Sequence, residues 1–185
     1  MAHSEPKFAF PSASAVAYAV AKAKASLPQF RGALEGGRCA GSFHGVKLHF
    51  PRVDGSEGHH VWLAVTSYFA NLYFCTPSEL PADLVGLRLG ESKLATDDDV
   101  EDWMVMVGGV IYGGYSLRAI RADLPVNERP EFDSYMGVSR YAPKTLNYLL
   151  QQTAGTGRLS RNRGSSGPPP PMRLNRSGEP LTVLG

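Results

Sequence analysis

Four histidines, His44, His49, His59 and His60, lie close together in the chain, and imidazole is a ligand for divalent metals and a proton carrier near neutral pH. Pairing of Lys47–Phe50 with His60–Leu63 across the loop 51–58 makes His49 and His60 neighbours, with Asp54 or Glu57 as a third metal ligand. A metal centre needs three or four converging ligands, however, and adjacent histidines on a strand point to opposite faces. The set therefore reads as surface and partly buried polar histidines, and neither a metal nor a cofactor is expected. Asp102 beside Trp103 is the best-placed carboxylate for general acid or base work, because an aromatic neighbour strips water from a carboxyl. The alternative is an Asp102 that accepts hydrogen bonds from backbone amides near the start of its own turn, or pairs with Arg118. Trp62, Trp103, Tyr112, Tyr115 and Arg118, with Asp102, define a possible groove, although aromatics at strand spacing usually build core. No nucleophile and base stand in register. No phosphate loop, dinucleotide fingerprint, nucleophile elbow or HExxH helix occurs, and no catalytic residue is assigned.

The chain that must position these groups has 185 residues and 20.0 kDa, with 43% hydrophobic and 19% charged residues. That suits one globular domain with a tail and excludes wholesale disorder. No stretch of about 18 uncharged apolar residues exists, so no membrane span is expected. Residues 1–150 carry 14 Lys and Arg against 16 Asp and Glu, while 151–185 carry five Arg against Glu179. The net charge of +2 thus hides a slightly acidic body and a basic tail, which limits nucleic-acid binding to the tail. Cys39 and Cys75 form no CxxC pair and suggest no disulfide framework. Ala13–Ala21 is too short and Lys22 and Lys24 too badly placed for a signal peptide, so a cytoplasmic location is expected.

Ser12 or Ser14 caps a helix whose stripe is Val16, Val20, Ala23 and Leu27; Pro28 ends or kinks it, and Gly36-Gly37 suits a left-handed stop. From Ser42 the pattern turns to strands, over Phe43–Phe50, Val61–Phe69 and Leu72–Phe74, with Asn71 marking a turn. Thr96 and Asp99 frame a capping box, and Val100, Trp103 and Met104 share a helical face, which predicts a short helical turn near 97–104. Met106–Val110 and Ile111–Ile120 read as a final hairpin turning at Gly108-Gly109, with Gly113-Gly114 inside its second strand as a bulge or close approach. After Asp123 the strands stop, and Pro143 opens a C-terminal helix with Leu146, Leu149 and Leu150 on one side and Gly155 as its stop. Residues 154–185 are a Gly, Pro, Ser and Arg-rich flexible tail. The expected fold class is α+β: an N-terminal helix on a small, strongly bent antiparallel sheet or partial barrel, all within a single domain at 1–153.

His60-Val61-Trp62-Leu63, Gly86-Leu87-Arg88-Leu89-Gly90-Glu91, Val100-Glu101-Asp102-Trp103-Met104 and Gly113-Gly114-Tyr115-Ser116-Leu117-Arg118 resemble, in order and spacing, the bacterial family domain of unknown function 2314. The likeness runs over about residues 15–137. His59 stands where that family often has Glu, and Glu101 replaces a common Ser. The family has no settled activity, and its look-alikes turn up beside secreted toxins as candidate immunity proteins. The resemblance therefore implies a binding role: an immunity protein against a toxin of a type VI or contact-dependent secretion system. Asp97, Asp98, Asp99 and Glu101 are the expected contact with a basic toxin cleft, although helix capping already explains the acidic run. Two further readings stay open: a metal-dependent hydrolase using His49, His60 and Asp102, and a scaffold whose basic tail touches nucleic acid or membrane. The identity of the partner and the oligomeric state are left open by the sequence.

Overall fold

The computed structural model describes residues 11–36, 41–52, 58–81 and 84–143. Helix α1 runs unbroken over Ala13–Glu35, with the Ser12 hydroxyl accepting from the Ala15 amide at 3.3 Å. Pro28 does not end it. The proline is exposed, and the carbonyl its missing N–H leaves free belongs to Lys24, also on the solvent side. The buried stripe is Ala19, Ala23, Ser26, Leu27, Phe30 and Ala33, which includes the expected Ala23 and Leu27, whereas Val16 and Val20 are only half-buried. Gly36 closes the helix in the right-handed region at φ −68° rather than the left-handed one.

Among the described residues seven strands follow: β1 Ser42–Phe50, β2 His59–Phe69, β3 Leu72–Thr76, β4 Lys93–Ala95, β5 Val100–Val107, β6 Val110–Gly113 and β7 Arg140–Tyr141. They form one open sheet in the order β4-β3-β2-β1-β5-β6-β7, antiparallel except for β6 with β7. The β2–β3 turn is made by Ala70 and Asn71, both left-handed at φ 50° and 62°, a conformation asparagine tolerates better than most residues. Helix α2, Tyr115–Asp123, and helix α3, Arg129–Tyr135, sit between β6 and β7 in sequence. The α+β class and the N-terminal helix on an antiparallel sheet are therefore as expected; the sheet is not closed into a barrel.

Two expectations are corrected. Residues 97–99 make a turn, but 100–104 continue as strand β5 rather than as a helix. β5 lies between β1 and β6 with both faces covered, so apolar residues occur on both sides and Val100, Trp103 and Met104 mimic helical spacing. Likewise Tyr115–Ile120 is helix, not strand, because Gly113 and Gly114 take φ 68° and 61° and swing the chain off β6. The close approach expected of those glycines is real: a Cβ on Gly113 would stand 2.3 Å from the Trp103 carbonyl oxygen. Helix α3, opened by Pro130, was not expected, and neither were β4 and β7. The expected helix from Pro143 to Gly155, the tail 154–185 and Gly37 lie outside the described residues, Pro143 itself apart.

Alternation along the strands divides the interior in two. On the near face α1 covers Val46, Leu48, Leu63, Val65, Tyr73, Trp103 and Val105, with Phe30 stacked between Tyr73 (5.9 Å) and Trp103 (5.2 Å). Cys75 is fully buried in this layer, and burial pushes its thiol up to about 12, so it packs as a small hydrophobe. On the far face Leu117, Ile120, Phe132 and Met136 cover Met104 and Ile111. Those helices leave the β2–β3–β4 end of the far face open.

Candidate functional site on the far face of the sheet

The β1–β2 register is Lys47↔Trp62, Leu48↔Val61 and His49↔His60, so the two histidines do meet, with ring centroids 5.0 Å apart. On the other side of β1 the ladder shifts: Lys47 faces Asp102 but Leu48 faces Val100, leaving Glu101 as the extra residue of a bulge. The bulge turns Glu101 toward β2, where its Oε2 lies 2.5 Å from His60 Nδ1. Lys47, His49, His60, Glu101 and Asp102 thus form one polar group on the far face, beside the half-buried ring of Trp62.

Two members are deeply buried. Lys47 is 5% exposed, and burial pulls its ammonium below the ordinary value while the charges of Asp102 and Glu101 oppose that shift. Asp102 is 1% exposed and its two oxygens are fully used. Oδ1 accepts from the Trp103 amide (2.8 Å) and the Tyr115 amide (3.2 Å); Oδ2 accepts from the Ser116 amide and hydroxyl, both at 2.7 Å. Complete burial pushes the carboxyl upward, and these four donors work against it. Asp102 is the N-terminal cap of α2, supplied from β5 because Gly114 has no side chain to do it. The carboxylate that reaches a histidine is Glu101, not Asp102. Among the described residues no group of three or more His, Cys, Asp or Glu side chains is placed to hold a metal; Asp54 and Glu57 lie outside them.

Burial works to raise the Glu101 carboxyl, but the His60 hydrogen bond and the charges of His60, Lys47 and His49 bring it net below the ordinary range. A depressed carboxyl adds stability that is complete above its unfolded value and disappears as pH falls through the lower folded value. The expected result is that Glu101→Gln melts lower than the wild type at neutral pH, and that the difference shrinks on acidification through and below the ordinary carboxylate range. Melting curves across that range check it; a gap that stays constant shows that the pair adds nothing through ionisation.

The acidic run is held down by α1. Asp97 pairs with Arg31 and accepts from the Tyr73 hydroxyl at 2.7 Å; Lys24 Nζ donates to the Asp98 carbonyl at 2.9 Å. Asp99 Oδ2 accepts from the Thr96 amide and hydroxyl, both at 2.8 Å, the capping contact the spacing implied, here closing a turn that leads into a strand. Asp98 and Asp99 remain exposed.

The six proposed groove residues are split, with Tyr112 buried in the near-face core. Trp62 and Asp102 belong to the far face, whereas Trp103 is 1% exposed in the near-face core, edge-on to Tyr115 at 6.1 Å. Arg118 donates to the carbonyls of Gly113 (2.7 Å), Ile111 (3.2 Å) and Ala142 (2.9 Å), stitching β6 to β7, and makes no hydrogen bond to Asp102. Tyr115 and Arg118 do line a cleft of about 340 Å³, but its opposite wall is α1, at Ala15, Tyr18, Ala19 and Lys22. The alanines of α1 are the one sequence signal for that cleft.

Beside the polar group the open end of the far face carries Trp62 and Phe69 on β2, Leu72 and Phe74 on β3 and Leu94 on β4. The pairs Phe69↔Leu72 and Phe74↔Leu94 set them on one side. Phe69 is 76% and Leu94 51% exposed. No helix covers them among the described residues, and none of the described helices is long and apolar enough to cross a membrane.

A "Putative ankyrin repeat protein" of Neisseria meningitidis serogroup B is 34% identical over 97 residues, half of this chain and 38% of that protein. The uncharacterized protein YegJ of Escherichia coli K12 is 27% identical over 81 residues, 44% of this chain and 53% of its own length. The chain thus spans from about two fifths to about half of the length of these curated relatives. No solved structure matches it significantly. The family model described as an uncharacterized protein conserved in bacteria matches residues 13–139, from the first turn of α1 to the approach of β7, and the chain belongs to that family, domain of unknown function 2314.

Proposed function

We propose that this domain acts by binding another protein across the open end of its far sheet face, most concretely as a cytoplasmic immunity protein that neutralises a toxin encoded nearby. The observation that carries the reading is the exposed pair Phe69 and Leu94 with the half-buried Leu72 and Phe74 between them and Trp62 nearby: an apolar patch with a polar border is the usual anatomy of a protein interface. The border is His49, His60 and Glu101, whose mutual contacts fix their positions before any partner arrives. A relative named for ankyrin repeats adds weight, since such repeats stack into extended binding surfaces. The exposed Asp98 and Asp99 stand as a second contact for a basic toxin.

Co-expression with the product of the neighbouring toxin gene tests both levels. The wild type is expected to co-purify with it and protect the host. Phe74→Asp with Leu94→Asp is expected to weaken the complex by about 100-fold, as loss of a central hot spot does, with the melting temperature within about 3 °C of wild type. Full affinity in that double variant excludes this face, and absence of both binding and protection in the wild type excludes the toxin reading.

A further inference from the structure

The cleft between α1 and α2 is separate from the far-face patch, and its two ends differ in chemistry. Trp103 sets the direction. Its indole N–H reaches the Ala23 carbonyl and Ser26 Oγ, and Tyr115 meets the same ring edge-on, so the start of α2 stands beside residues 22–26 of α1. Gly113, Tyr115 and Lys22 therefore lie at one end, and Ala15, Ala122 and the exposed Asp123 at the other. Between the ends the walls are the methyl groups of Ala15 and Ala19 on one helix and Ala119 and Ala122 on the other. From Ala15 to Lys22 the helix rises about 10 Å. With a volume of about 340 Å³, the trough is the size of a small-molecule site.

The Gly113 end is cationic. Arg118 is half-buried there, and its Nε and Nη2 donate to the carbonyls of Gly113, Ile111 and Ala142. Carbonyls satisfy donors but bring no opposite charge. Among the described residues Nη1 has no acceptor and no carboxylate hydrogen-bonds to the group. Burial is the largest influence on the guanidinium and pulls its pKa down, yet an arginine in a protein stays charged. On the facing wall Lys22 Nζ lies 5.3 Å from the centre of the Tyr18 ring and pairs with no carboxylate among the described residues. Two cations at one end of an apolar trough complement an anion that carries a hydrocarbon tail. We propose that the cleft binds a small monocarboxylate with an unbranched apolar tail, its head held by Arg118 and Lys22 and its tail lying between the alanines. Asp123 at the opposite end repels a second carboxylate, so dicarboxylates are rejected.

Titration of octanoate, octanol and octanedioate into the full chain, followed by amide NMR spectra, tests the site. Octanoate is expected to shift residues 15–22 and 113–122 and to bind at least about 10-fold more tightly than either of the other two, the scale of a charge-assisted contact. Lys22→Gln is expected to weaken octanoate by about 3-fold to 10-fold and to leave octanol unchanged. Ala119→Leu fills the trough, so it is expected to abolish octanoate binding with a melting temperature no lower than that of the wild type. Where that change disturbs α2, Ala122→Leu at the more exposed end makes the same test. Four results overturn the proposal: no saturable octanoate binding in the millimolar range, equal affinity for octanol, full affinity in a folded trough-filling variant, or a dimer that Ala119→Leu dissociates and octanoate does not, which assigns the cleft to a second copy.

Discussion

Asp102→Ala is expected to lower the free energy of unfolding by about 4 kcal/mol, the scale for stripping a buried carboxylate from its partners. The side chain is 1% exposed and satisfies the amides of Trp103, Tyr115 and Ser116 and the Ser116 hydroxyl. Each buried donor left without an acceptor costs about 1–3 kcal/mol, less where water can enter the space. The neighbouring Lys47 ammonium, also buried, loses the opposite charge across the β1–β5 ladder. Against a typical total of about 5–15 kcal/mol this loss consumes much of the stability of the domain.

A graded series separates the roles of this one carboxylate. Ser116→Ala deletes only the hydroxyl donor, so about 1 kcal/mol is expected. Asp102→Asn keeps one acceptor but turns an NH2 toward amide donors, and an intermediate loss follows. Lys47→Met is expected to recover part of the deficit when added to Asp102→Ala, because it removes the charge that the first change left unopposed. Denaturant midpoints, with exchange at the Tyr115 and Ser116 amides, read the series. A loss under about 1 kcal/mol in Asp102→Ala shows that the carboxylate does not hold α2. If Asp102 served instead as a general base, its removal would abolish an activity and leave the melting temperature in place.

The sequence made β1, β2 and β3 legible because apolar residues alternate with others along Val46–Phe50, Val61–Val65 and Tyr73–Cys75, and antiparallel pairing of β1 with β2 joins His49 to His60. β5 was hidden by its own burial: with α1 on one side and the far-face cluster on the other, Val100-Glu101-Asp102-Trp103-Met104 shows helical and strand periods at once. α2 was hidden because its cap comes from Asp102, thirteen residues before Tyr115, and a cap supplied by another strand leaves no local mark. The pairing of Glu101 with His60 depends on a one-residue bulge, which shifts a side chain across the ladder without changing composition. Trp103 and Tyr115 meet edge-on, but only the fold reveals that Trp62 stands on the opposite face of the sheet.

Trp103→Ala is expected to match or exceed the loss at Asp102, at about 3–5 kcal/mol, the range for deleting a large buried aromatic. The ring is the widest single element of the near-face core, stacked on Phe30 at 5.2 Å and met edge-on by Tyr115 at 6.1 Å. It also ties the sheet to α1 by polar contact: its indole N–H lies 3.1 Å from the Ala23 carbonyl and 3.0 Å from Ser26 Oγ. Trp103→Phe keeps most of the stacking and loses that donor, so about 1–2 kcal/mol is expected. The loss stays modest because Ser26 Oγ still reaches the Lys22 carbonyl at 2.8 Å. Gly113→Ala approaches the same ring from the other strand. Its new Cβ would fall 2.3 Å from the Trp103 carbonyl and 2.6 Å from the ring at a backbone φ of +68°, so at least about 2 kcal/mol is expected from strain alone. Combined with Trp103→Ala, the Gly113 change loses its clash with the ring but keeps its clash with the carbonyl. The two effects should therefore add to less than their sum. Denaturation of the two single variants and the double variant measures the shortfall, and strict additivity shows that the ring and Gly113 do not share the contact on which the strand-to-helix turn is built.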